Sequence, residues 1–151
     1  MKNRRTTTLC IAMLCSVITF AQTARVNEPD MNKPTLFTSL PEKISFNPAS
    51  VPALFAQSVG NDVNLTVGDV MPFNGKVVST SSSTETDRNS VVIRSSNFEG
   101  AVMTISRILI DGKISYTGRI ISMKHADLYE LQYRNGQYEF VKKNFYDLVN
   151  E

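Results

Sequence analysis

With 151 residues, sixteen of them basic and fourteen acidic, the chain is long enough for one domain with a real core and too short for two. Both cysteines fall within the first fifteen positions, and there is one histidine and no tryptophan. Beyond that amino-terminal stretch the composition excludes a thiolate-rich zinc site and offers no disulfide framework.

Lys2, Arg4 and Arg5 form a basic start, and Leu9 to Phe20 is an apolar run of twelve residues. Thr19-Phe20-Ala21 places small residues at the −3 and −1 positions, the layout of a cleaved signal peptide over residues 1–21. The run spans roughly 18 Å as a helix, short of a hydrocarbon core of roughly 30 Å, so no stable membrane insertion is expected after cleavage. An exported chain is expected, periplasmic or extracellular. Its thirteen remaining basic side chains face fourteen acidic ones, a net charge of −1 that does not suit nucleic acid.

Residues 22–35 mix Asn, Pro, Asp, Glu and Lys and read as a disordered lead-in to a single β-rich domain over 36–151. Leu36 to Phe46 reads as a first strand. Asn47 or Ser50 then supplies a helix cap, a proline fits the first turn, and Val51, Leu54, Phe55 and Val59 recur at helical spacing before Gly60-Asn61. From Val63 the period becomes two. Val63-Leu65-Val67 and Phe73 to Thr80 read as strands, and the serine- and threonine-rich stretch Ser79 to Asn89 reads as a solvent-projecting loop.

Five strand-like segments follow: Ser90 to Ser96, Ala101 to Ile110, Ile114 to Met123, Leu128 to Arg134 and Gln137 to Lys143. Asp111-Gly112 and Asn135-Gly136 are strong hairpin signals, because both central residues of a type I′ turn need positive φ. They set Ile110 opposite Lys113 and Arg134 opposite Gln137. Met103 then meets Ile120, Ile105 meets Gly118, Leu131 meets Phe140 and Tyr133 meets Tyr138, which collects apolar side chains on one face. The tail from Asn144 carries Phe145, Tyr146, Leu148 and Val149 and is expected to dock on the core. The expected fold is mainly β, an antiparallel β-meander forming a strongly curved sheet or small barrel, with one short N-terminal helix.

The segments Ser90 to Ser96, Gly100 to Arg107 and Ile114 to Ser122, with the closing Asp147 to Glu151, resemble small exported proteins of Bacteroidota-type bacteria. The resemblance implies export and a β-rich fold, and carries no catalytic motif, cofactor or site residue.

No Gly-x-Ser-x-Gly stretch or dinucleotide glycine fingerprint occurs, and the acids are scattered at turns without calcium-loop spacing, so no cofactor or metal is expected. His125, beside Lys124 and two before Asp127, is the only candidate base. It is read first as part of a polar turn. The reverse face of the meander gathers Thr104, Ser106, Ser115, Thr117 and Arg119, a candidate binding surface for a peptide or glycan. Arg107 falls on the apolar side opposite Tyr116, where its stem can cover the ring. The tyrosines, in phase with Leu131 and Phe140, read as core. The functional expectation is a noncatalytic exported binding or structural module for a peptide, protein or envelope glycan. The alternatives are an inhibitor or propeptide-like regulator of an exported protease, acting through Ser79 to Asn89, and an enzyme using His125.

Overall fold

The computed structural model describes residues 35–84 and 87–144. The expected leader, the lead-in up to residue 34 and all of the tail beyond Asn144 lie outside the described residues.

Eight strands make one antiparallel sheet: β1 (Lys43–Phe46), β2 (Asp62–Val67), β3 (Met71–Ser83), β4 (Arg88–Ser95), β5 (Ala101–Ile110), β6 (Lys113–Ser122), β7 (Asp127–Arg134) and β8 (Gln137–Asn144). Their order is β1-β8-β7-β6-β5-β4-β3-β2. Seven strands therefore meander, and β1 returns from the start of the domain to pair with β8, Ile44 opposite Phe140 and Phe46 opposite Tyr138. The sheet curls until its two ends approach. Gly68, just after β2, stands so close to β1 that a Cβ there would overlap the Ser45 carbonyl oxygen.

Period-two alternation gives the curled sheet an apolar inner face. Met103, Ile105, Val91, Ile93, Val77, Ile120, Leu131 and Phe140 all point to the concave side and are buried there. The hairpin registers agree with those read from the turns, including Met103–Ile120, Ile105–Gly118, Leu131–Phe140 and Tyr133–Tyr138. Asp111, Gly112, Asn135 and Gly136 all have positive φ, as the type I′ turns require.

Four expectations change. Leu36 to Phe46 is a strand only over Lys43–Phe46; the preceding residues turn, and Phe37 plugs one end of the curled sheet against Phe98 and Tyr129, with ring centroids 5.5 and 5.4 Å away. The helix α1 (Val51–Phe55) follows β1 instead of heading the domain, with Asn47 capping the 3-10 turn before it through the Ala49 N–H. It stops before Val59, which is 59% exposed, because Gly60 and Asn61 are drawn onto β3 by hydrogen bonds with Val77. Ser79 to Ser83 is not loop: it pairs with β4, Ser81 opposite Ser90 and Ser83 opposite Arg88. A ladder needs backbone partners only, and an arm solvated on both faces can carry serine throughout. Tyr133, expected in the core, is 64% exposed because the β7–β8 hairpin runs past the packed interior.

Candidate functional site

The β6–β7 ladder is short. Arg119–Glu130, Ile120–Tyr129, Ile121–Leu128 and Ser122–Asp127 pair, and among the described residues no ladder pair joins Lys113–Gly118 to Leu131–Arg134. The β5–β6 and β7–β8 hairpins therefore fork apart above Arg119. Tyr138 bridges the fork from the concave side, its hydroxyl accepting the Tyr116 backbone N–H at 3.1 Å while the two rings meet edge to face at 5.6 Å.

On the convex side, the base of the fork holds a shallow depression of about 530 Å3. Thr104, Ser106, Thr117 and Arg119 line it, together with Glu130. The first four come from two cross-strand pairs, Thr104–Arg119 and Ser106–Thr117. Ser115 continues the same stripe opposite Ile108 but does not line the depression. Thus the structure brings four of the five sequence-assigned residues into one concavity.

Sequence reasoning missed two neighbours from β7. Glu130 pairs with Arg119 at 3.4 Å, an exposed ion pair worth only about 0–1 kcal/mol and so easily opened by a ligand. Gln132 donates its amide N–H to Glu130 Oε2 at 3.2 Å, while its buried Oε1 meets no donor. Leaving such an acceptor unmet costs about 1–3 kcal/mol, and Gln132 sits next to Glu130 without lining the depression itself. Reverse-face phasing on β7 was the available signal for both residues.

His125 lies in the β6–β7 turn, as expected, but is only 8% exposed. Its Nδ1 is 2.9 Å from the Ser122 hydroxyl, and Ser122 has no exposed surface. The Asp127 carboxylate accepts the Leu36 N–H, and the Phe37 N–H also bonds to it. Burial raises the Asp127 pKa above 3.8, opposed by those two amides, then by His125 and Lys142. Ser, His and Asp thus meet as the anchor of a turn onto the Phe37 plug, with the hydroxyl sealed from any substrate. Tyr129 beside them donates to the Pro41 carbonyl at 2.6 Å; burial, then Glu42 and Asp127, push its pKa up to about 12.

No helix among the described residues is long and apolar enough to cross a membrane. Comparison of the chain with protein-family models, curated proteins and solved structures finds no match.

Proposed function

We propose that the chain is an exported, noncatalytic binding module that holds an extended polar ligand, a peptide or envelope glycan, against the convex face at the base of the fork. The observation that carries this reading is the hydroxyl-lined depression whose Arg119–Glu130 ion pair is exposed and easily opened, with Glu130 held in turn by the Gln132 amide. Thr104, Ser106 and Thr117 offer donors and acceptors in a fixed row. Arg119 supplies a planar cationic fork once Glu130 releases it. The leader over residues 1–21 delivers the module to the envelope or medium. The sealed Ser122 hydroxyl supports a structural role for His125 over a catalytic one.

The test is an amide-shift titration of the labelled protein with soluble peptidoglycan fragments and, separately, with an extended Ser/Thr pentapeptide. Binding should move Thr104, Ser106, Thr117, Arg119 and the Gln132 side-chain amide together, and Arg119→Ala should weaken it. Shifts confined to the β3–β4 hairpin would replace this reading with the protease-inhibitor one. Absence of shifts with both probes would remove it.

A further inference from the structure

A second concavity lies on the opposite, concave face, at the mouth of the curled sheet. Three adjacent strands present Asn89, Arg107 and Tyr116 in one cross-strand row: Asn89 pairs with Arg107, and Arg107 with Tyr116. The row sits directly above the packed layer of Val91, Ile105 and Gly118, where every other position of β5 from Ala101 to Ile105 is apolar and buried. A cation at the next in-phase position is costly unless something pairs with it.

Its partner is weak. Arg107 Nη2 stands 3.6 Å from Asp87 Oδ1, beyond hydrogen-bond range, and the Asp87 side chain is 45% exposed. The Arg107 side chain is only 27% exposed, and its buried Nε has no hydrogen-bond partner. Five donors in a planar fork are thus largely unspent beside a cavity.

That cavity, about 450 Å3, is lined by this polar row and by Pro52, Phe55 and Ala56 of α1 and its cap, with Ile114 at the lip. Its volume lies toward the lower end of the roughly 300–1,000 Å3 of small-ligand pockets. One wall is cationic and amide-bearing, the other apolar and aromatic.

We propose that this pocket binds the carboxylate of a ligand with a compact apolar body, the carboxylate on Arg107 and the body against Phe55, Pro52 and Ile114. The Asn89 amide is placed to donate to the same carboxylate, and the Tyr116 ring forms the side wall. Asp87 is the competing anion that occupies the guanidinium weakly when the pocket is empty. A free medium-chain acid and the carboxyl end of a peptide with an apolar last residue share this chemistry. The site goes beyond the convex-face reading and stands or falls separately from it.

The test is calorimetric titration of the purified protein with octanoate, N-acetylphenylalanine and 1-octanol. At least one acid should bind, and the neutral alcohol should bind about tenfold more weakly or worse, because it lacks the charge-assisted contact. Which acid binds tighter assigns the source. Arg107→Met keeps the stem and should weaken acid binding by about tenfold with the folding midpoint retained. Asp87→Asn, at an exposed site, removes the competitor and should tighten acid binding severalfold, a readout that stands even if the arginine variant unfolds. Octanol binding as tightly as octanoate, no binding of either acid, or an unchanged affinity in Asp87→Asn would overturn the proposal.

Discussion

Replacing Gly68 by alanine tests how the curled sheet is closed. Gly68 has φ +44, and a Cβ there would overlap the Ser45 carbonyl oxygen and come 2.8 Å from Ile44 Cγ2. The left-handed conformation costs an L-residue roughly 1–2 kcal/mol, and forced overpacking adds roughly 1–3 kcal/mol. The sum is about 2–5 kcal/mol, set against typical domain stabilities of roughly 5–15 kcal/mol. Gly112→Ala is the control, because Gly112 also has positive φ (+73) but nothing within 4 Å of the added atom. It should lose only the backbone part. Urea unfolding followed by circular dichroism gives both values, and amide exchange over Lys43–Phe46 shows where the damage falls. Gly68→Ala should exceed the control by about 1–3 kcal/mol and deprotect β1 first. Two variants equal within about 0.5 kcal/mol would refute the close approach of β1 to the β2–β3 corner.

The buried polar turn yields three further expectations. His125→Ala strands the Ser122 hydroxyl and should cost about 1–3 kcal/mol in urea unfolding; an unchanged midpoint would contradict the anchoring role. Because burial raises the Asp127 pKa, the folded state holds that proton more tightly than the unfolded chain. The contribution of Asp127 to stability is then largest below pH 3.8 and falls as pH rises through the raised folded value. Asp127→Asn should lose this decline, so parallel stability–pH curves for the two proteins would count against it. Tyr129 is held protonated to about 12 against an ordinary 10.0, so its contribution fades across that interval. Tyr129→Phe should abolish the corresponding alkaline loss of stability and the latest step in ultraviolet titration.

Local chemistry made much of this fold legible. Asp111-Gly112 and Asn135-Gly136 fix two turns, and from each the pairing of a whole hairpin follows by counting, which is why the Thr104–Arg119 and Ser106–Thr117 rows are legible in the sequence. Partners distant in sequence were not visible. The pairing of β1 with β8 joins residues almost a hundred positions apart, and the Phe37 plug is set by tertiary contacts with Phe98 and Tyr129. The serine-rich arm misled because composition reports solvation, and a strand solvated on both faces looks like a loop. Val59 was lost from the helix to the stronger claim of β3 on Gly60 and Asn61. Arg107 did leave a trace, a charge at an apolar phase, but the pocket beside it needs α1, whose placement no periodicity reveals. Gln132 was readable only as one more polar residue on the reverse face.

The convex site depends on β6 and β7 parting above Arg119, and the hydroxyl of Tyr138 marks that parting. Amide exchange measured by nuclear magnetic resonance on the parent and Tyr138→Phe addresses it directly. In the parent the Tyr116 amide should be protected; in the variant it should exchange much faster while the Ile120 amide, one turn of the ladder below, keeps its protection. A Tyr116 amide equally protected in both proteins, with nuclear Overhauser contacts linking Lys113–Gly118 to Leu131–Arg134, would mean a continuous ladder and no fork.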